Sequence, residues 1–299
     1  MKINRKKQFQ TDLIISADWH LMEKERQPPC RTDDYWDTQW DKVKQILNLQ
    51  DKYHCPIVIA GDVFEHWKTS PHLLNTCINV LKGHEIYSII GNHDMPQHNI
   101  QLMGKSGLET LFSTKTIKYL SGHLDWGTDS DYIPLSIKGK TIVFAHKMVW
   151  QGKIPWPGCP DPEINQIFKQ IPGIDLIVTG HNHKTIFAKK DDRFIINPGS
   201  ITRHKADQEN HRPCVFLWRA SDNSFKIHYL KIMEKAFTRQ YVEEKNKKIE
   251  KSMAFISSLK KRWGIGFSFS ENVEIRLKEN NVPENIKKFV YKWMDKEVV

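Results

Sequence analysis

Residues 11–20 read Thr-Asp-Leu-Ile-Ile-Ser-Ala-Asp-Trp-His, a short β-branched run (LIIS, 13–16) that breaks off into a polar cluster holding Asp18 and His20. The same figure recurs down the chain. PIVIA (56–60) meets Gly-Asp at 61–62, YSII (87–90) meets Gly-Asn-His-Asp at 91–94, TIVFA (141–145) meets His146, and LIVT (176–179) meets Gly-His-Asn-His at 180–183. Unbroken apolar runs of this length, bounded by turn residues, are the pattern of strands buried on both faces.

Helical patterns separate several of these runs. Residues 33–53 space Trp36, Trp40, Val43, Ile46 and Leu47 at helical intervals behind a Thr32-Asp33-Asp34 cap, and Ser70-Pro71 opens a second pattern through Leu73, Leu74, Cys77, Val80 and Leu81. Strand–helix–strand alternation predicts an α/β fold with a largely parallel sheet. After Gly180 the texture changes to short runs, TIFAK (185–189), RFIIN (193–197), CVFLW (214–218) and SFKIHYL (224–230), which predict antiparallel additions or a second sheet. Beyond about Lys231 the chain turns helical and lysine-rich, with one long helix expected over 243–263 and another over 282–294. The expected organisation is a main domain over 1–232 and a basic helical appendage over 233–299.

Composition sets the class. Apolar residues make up 39% and aromatic residues 11%, which argues against disorder. No run approaches the ~18–20 apolar residues of a membrane span. The apolar run behind the basic start ends at Asp18, too early for a secretory signal. Five cysteines without a C-x-x-C pair fit a reducing cytoplasm better than a disulfide framework. The formal charge of +10 sits at the ends: residues 231–299 hold 16 basic and 10 acidic residues, residues 1–10 hold four basic ones, and the middle is neutral.

In an open α/β sheet, ligands bind beyond the carboxyl ends of the strands. Five strand ends here deliver Asp18 and His20, Asp62, then Asn92, His93 and Asp94, then His146, and finally His181 and His183. This all-nitrogen and oxygen set suits two divalent ions, and ligand type alone does not choose among manganese, iron and zinc; manganese is the ion expected, with iron, zinc or magnesium as the other candidates. Asp62, alone at its strand end, is the natural bridge. Two ions ~3.5–4 Å apart would clamp a phosphoryl group and turn a bound water into hydroxide. His93 is placed to protonate the departing oxygen and Asp94 to hold its ring. The remaining histidines, His204 among them, are expected to be surface or satisfied core residues.

The series D-W-H (18–20), G-D (61–62), G-N-H-D (91–94), H (146) and G-H-N-H (180–183) resembles the calcineurin-like metallophosphoesterases over about residues 11–230. The resemblance implies a two-sheet β-sandwich flanked by helices. It places Asp18, His20, Asp62 and His183 on one metal, Asp62, Asn92, His146 and His181 on the other, and His93 as the catalytic acid. An N-P-G-S turn at 197–200, usual in the family, follows a strand after the fifth motif.

Within the family, D-W-H-L (18–21), G-D-V-F (61–64) and the long helix between them are most similar to SbcD-type DNA repair nucleases. That branch implies DNA as substrate, an SbcC-like ATPase subunit as partner, and a homodimer; the resemblance does not identify the interface, and a helix near Leu102–Phe112 is one candidate. Phosphate contacts would come from Lys260, Lys261 and Arg262, with Trp263 as a stacking surface, and Lys147, Trp150 and Arg203 are further candidate nucleic-acid contacts. A phosphatase or phosphodiesterase for small molecules, in which the basic tail only packs, is the alternative. A scaffold without activity would have no need of Asp62 and His93 together.

Overall fold

The computed structural model describes residues 9–120, 123–124, 135–238, 247, 252–253 and 269–294. The apolar runs of the first half become β1 (Leu13–Ser16), β2 (Ile57–Ile59), β3 (Ile86–Ser88) and β4 (Lys118–Tyr119), parallel neighbours in that order. Between them run α1 (Tyr35–Tyr53), α2 (Pro71–Leu81) and α3 (Gly107–Ser113), the crossovers that parallel pairing demands. Asp34 caps α1 by accepting the Asp37 N–H at 3.1 Å, and Ser70 caps α2 by accepting the Leu73 N–H at 3.1 Å.

Two antiparallel strands, β11 (Cys214–Arg219) and β12 (Ser224–Tyr229), extend this sheet beyond β1. The second sheet holds β5 (His123–Leu124), β7 (Lys140–His146), β8 (Leu176–Thr179) and β10 (Arg193–Asn197), mutually parallel. On it, β6 (Leu135–Ile137) pairs with β7 and β9 (Ile186–Lys190) with β10, both antiparallel. The late short runs supply both the antiparallel additions, β11 and β12, and part of a second sheet, β9 and β10, as expected; within that sheet β10 runs parallel to β8, with Phe194 opposite Leu176 and Ile195 opposite Ile177. Burial explains the order. Phe194, Ile195, Ile196 and Asn197 are buried, whereas β9 exposes Phe187, Lys189 and Lys190. The apolar member of the hairpin takes the interior place, and the lysine-bearing member takes the edge, where charge discourages further pairing.

Side chains sort into layers. Ile14, Ile57, Ile59 and Ile86 pack with Trp40, Val43, Ile46, Leu73, Cys77 and Leu108 on the face covered by α1–α3. Leu13, Ile15, Val58, Ile142, Phe144, Val178, Phe216 and Trp218 fill the space between the sheets. Val143, Ile177 and Ile195 meet Ile164, Ile167 and Phe168 of α4 (Ile164–Gln170). Each fully buried Leu, Ile or Phe stabilises this arrangement by about 1.5–3 kcal/mol. The result is the two-sheet sandwich flanked by helices that the sequence predicts. The parallel strands of both sheets end on the same rim.

The chain divides into two compact units, Met1–Thr238 and Arg239–Val299. The end of the first is bonded into it: the Thr32 N–H donates to Ala236 at 3.1 Å and the Thr238 N–H to Cys30 at 2.9 Å. In the second, α5 (Phe269–Glu279) and α6 (Glu284–Met294) are joined by a turn in which the Val282 N–H donates to Leu277. Lys260, Lys261, Arg262 and Trp263, with nearly all of the expected 243–263 helix, lie outside the described residues. Leu108 and Leu111, in the segment offered as a dimer contact, are fully buried in the core. Among the described residues, no helix is long and apolar enough to cross a membrane.

Candidate metal centre

Past their carboxyl ends, β1 and β2 stay side by side. The Asp18 N–H donates to Gly61 at 3.1 Å, the His20 N–H to Asp62 at 3.0 Å and the Leu21 N–H to Val63 at 2.9 Å. Asp18, His20 and Asp62 nevertheless take left-handed conformations, with φ of 48°, 46° and 54°, and His181 has φ of 75°. Such a conformation costs about 1–3 kcal/mol in a non-glycine residue, and it persists only where the surroundings enforce it. Four strained residues at the ends of β1, β2 and β8 turn their side chains toward one volume.

Asp94 is one of the enforcers. Its buried carboxylate accepts the N–H groups of Val63 at 3.2 Å, Phe64 at 3.1 Å and Gly91 at 3.0 Å, buckling the loop after β2 to the loop after β3. Two glycines are fixed by close approach. A Cβ on Gly91 would stand 2.1 Å from Asp62 Oδ1, and one on Gly61, at φ 84°, would stand 2.5 Å from His146 Nδ1.

Around the common volume, Asp62 is central. Its Oδ1 accepts the His93 N–H at 2.9 Å, and its Oδ2 lies 3.1 Å from His146 Nε2 and 3.6 Å from His20 Nε2. On one side His20 Nε2 approaches His183 Nε2 to 2.9 Å, and Asp18 Oδ1 accepts the His181 N–H at 2.9 Å. On the other, Asn92 Oδ1 meets His146 Nε2 at 2.9 Å and His181 Nδ1 at 2.8 Å. His146 Nδ1 faces the Ala60 carbonyl at 2.8 Å, which leaves Nε2 for the centre.

The electrostatics follow from burial. It holds His20 down to about 3 against the pull of Asp62, His181 down to about 4 and His183 down to about 2, so these rings are neutral and carry lone pairs. Burial also pushes the Asp18 carboxyl up to about 7, and the Asp62 charge adds to the rise. Burial would raise Asp62 as well, but His146 and His20 outweigh it and hold Asp62 well below the usual carboxylate range. His146 moves the other way: burial lowers it, yet Asp62 lifts it to about 9.

These residues fit divalent cations. Asp18 Oδ2 is buried with no hydrogen-bond partner. At most one of the facing nitrogens of His20 and His183 can donate to the other, whereas a cation accepts both lone pairs. Among the described residues, His20, His183 and His204, then His20, Asp62 and His93, and then Asp62, His146 and His181 form groups whose ligand atoms lie within 4.8 Å of one another.

His93 stands at the mouth with its side chain 31% exposed. Its Nδ1 faces the Glu65 carbonyl oxygen at 2.7 Å, so the expectation that Asp94 holds the ring is corrected: both Asp94 oxygens are occupied by backbone N–H groups. Arg203 is also reassigned. It is 5% exposed and donates to Glu209 at 2.7 Å and Met233 at 2.5 Å, with its guanidinium 5.0 Å from the Phe237 ring. Trp150 is half-buried, and its indole N–H donates to Asp161 at 2.8 Å, anchoring its own loop. The exposed tryptophan of that loop is Trp156, and Lys147 is half-buried beside His146.

Two residues at the site lie outside the sequence-based ligand set. Glu65 Oε2 comes within 2.7 Å of His20 Nδ1, and its only signal was its place three residues after Asp62. His204, which the sequence assigns to the surface or a satisfied core, is buried with both ring nitrogens unpartnered. Its signal was the N-P-G-S turn, which marks the end of β10 as a further strand end.

Residues 12–218 match the model of the calcineurin-like phosphoesterase superfamily domain. An uncharacterized protein of Methanocaldococcus jannaschii, MJ0912, is 24% identical over 181 residues, covering 53% of this chain and 69% of the relative. Among solved structures, an archaeal phosphodiesterase aligns with 73% of this chain and 99% of its own at 13% identity and a TM-score of 0.41. The zinc complex of Vps29 from Entamoeba histolytica aligns with 73% and 97% of the two chains at 15% identity and a TM-score of 0.37.

Proposed function

The chain belongs to the calcineurin-like phosphoesterase superfamily, a family of metal-dependent hydrolases, and from that premise we propose that it cleaves phosphodiester bonds in DNA in the manner of SbcD-type nucleases. The observation that carries the hydrolytic reading is the convergence of Asp18, His20, Asp62, Asn92, His146, His181 and His183 on one volume, with His93 at its mouth. The D-W-H-L and G-D-V-F motifs and the basic tail extend it to DNA.

Bound divalent ions, manganese in this proposal, supply Lewis acidity and an activated water. The chain's own residues do the rest. Asp62 faces both halves of the donor set through Oδ2, which lies 3.1 Å from His146 Nε2 and 3.6 Å from His20 Nε2, while the His93 N–H holds Oδ1. In its protonated form, with Nδ1–H donated to the Glu65 carbonyl, His93 presents a second N–H, on Nε2, to the substrate, and it leaves the step as the neutral ring. As water oxygen joins phosphorus and the P–O bond to the departing nucleotide breaks, Nε2–H protonates the leaving oxygen. The Glu65 carboxylate, with Oε2 2.7 Å from His20 Nδ1, places negative charge behind the His20 ring. Lys260, Lys261 and Arg262 hold the DNA backbone by charge, and an SbcC-like ATPase subunit and a second copy of the chain complete the proposed assembly.

One observation favours small phosphodiesters instead: Arg203 and Trp150, two of the proposed DNA contacts, are committed to the fold. Cleavage of linear and circular DNA, single- and double-stranded, with manganese separates the readings, run beside a chromogenic phosphodiester with His93→Ala as control. DNA cleavage that disappears in His93→Ala supports the nuclease. Chromogen turnover with all DNA intact supports the small-substrate enzyme.

A further inference from the structure

We propose that His204 is an additional ligand of the first metal position, making it a three-imidazole site with His20 and His183 that prefers zinc, cobalt or ferrous ions over magnesium. This rests on the dimetal reading above. It begins with β10. Because that strand runs parallel to β8, its carboxyl end points to the same rim as the motif-bearing strands, and the chain leaving it passes the site. Ala17 pairs with Ser200 there, and the Ser200 N–H donates to His183 at 3.3 Å. The next residues are locked: the His204 N–H donates to Gln208 Oε1 at 2.9 Å, and Arg31 donates to the Arg203 carbonyl at 2.8 Å.

The locked backbone delivers a side chain with no ordinary use. His204 is 6% exposed, and neither Nδ1 nor Nε2 has a hydrogen-bond partner. A neutral imidazole always carries one N–H and one lone pair, and leaving such a buried group unsatisfied costs about 1–3 kcal/mol. A core filler would be apolar or bonded. The ring instead lies 4.9 Å from that of His20 and 5.2 Å from that of His183, and the ligand atoms of the three residues lie within 4.8 Å of one another. Glu65 Oε2, 3.9 Å from His204 Nε2 and 2.7 Å from His20 Nδ1, has no hydrogen-bond partner either, nor do His20 Nδ1 and Asp18 Oδ2. A cation accepting the lone pairs of all three imidazoles, with Asp18 and Asp62 beside them, satisfies the group. Adding a third nitrogen shifts the donor set away from the all-oxygen coordination that magnesium prefers.

The test uses the full chain, stripped of metal and titrated with Co²⁺ and Zn²⁺, with Mg²⁺ as competitor. Binding is read by calorimetry and by the visible absorption of Co²⁺. In the wild type, two ions bind and Mg²⁺ fails to displace the first. In His204→Ala, the first ion loses at least about tenfold in affinity and its Co²⁺ spectrum changes, while the second ion is untouched. Diffraction from the Zn²⁺-loaded wild type gives a readout independent of any variant: a His204 nitrogen about 2.0–2.1 Å from the ion supports the assignment, and one farther than hydrogen-bond distance overturns it. Unchanged affinity and spectrum in a folded His204→Ala overturn it too, with the dimetal reading intact. Failure of the wild type to bind either ion overturns both.

Discussion

Replacing Asp94 by asparagine separates a residue that tunes His93 from one that shapes the site. The carboxylate accepts three backbone N–H groups, Val63 and Gly91 on Oδ2 and Phe64 on Oδ1. Asparagine has one acceptor oxygen. Its best orientation places that oxygen where Oδ2 was, keeps two of the three bonds and turns an NH₂ group toward the Phe64 N–H. One buried donor is then unsatisfied, at a cost of about 1–3 kcal/mol. For a unit of this size that lowers the melting temperature by roughly 2–12 °C. The strain falls on the two loops that carry Asp62 and Asn92, so metal affinity should drop about 10–100-fold alongside stability. The assays are thermal unfolding at pH 8, where the wild-type carboxylate is ionised, metal titration, and kcat on a chromogenic diester. At saturating metal kcat should return close to the wild-type value, because the His93 ring leans on the Glu65 carbonyl and not on Asp94. An Asp94→Asn protein with wild-type melting and metal affinity but kcat lost would refute this reasoning and return Asp94 to the catalytic pair.

Gly91→Ala should abolish diester turnover in a protein that still folds, since its Cβ would displace Asp62 and such overpacking costs about 1–3 kcal/mol; circular dichroism beside the activity assay checks this. Arg203→Ala should lower the melting temperature, by about 1–3 kcal/mol for each carbonyl it orphans, yet leave the salt dependence of DNA binding unchanged, whereas neutralising Lys260, Lys261 and Arg262 should reduce that dependence. The metal-free protein should lose stability as the pH falls below about 6.5. His20, His181, His183, His204 and His211 are all held below their ordinary values by burial and take up protons only on unfolding. Against them stand Asp18 and Asp94, which burial raises to about 7, and His146, which Asp62 raises to about 9 and which is protonated in both states at the acid end of this window. The histidines outnumber the carboxyls, so melting temperature should rise with pH from about 5 to 6.5, by about 1.4 kcal/mol per pH unit for each excess proton. Saturating manganese, at a hundred times its dissociation constant, should add about 2.7 kcal/mol near pH 7.5, and chelation should remove it.

Much of this was legible in the sequence because the chemistry sits where the strand pattern stops. A run such as LIVT announces its own end, and at β1, β2, β3, β7 and β8 that end carries a side chain now found on the common volume. What stayed hidden depends on partners far away in the chain. Arg203 looks like a free basic residue until Arg31, 172 residues earlier, is seen donating to its carbonyl and Phe237 under its guanidinium. Asp94 looks like the partner of the adjacent His93, but the N–H groups that claim it belong to Val63, Phe64 and Gly91. His204 was lost for a subtler reason. Its strand was grouped with its neighbours by spacing alone, and spacing does not tell a hairpin's inner strand from its outer one. The residues themselves did: RFIIN is apolar enough for the interior, whereas IFAKK carries the lysines of an edge. Once β10 is set parallel beside β8, a sixth strand end reaches the rim. The buried, unbonded imidazole that follows it then belongs with the metal ligands rather than with the scattered histidines.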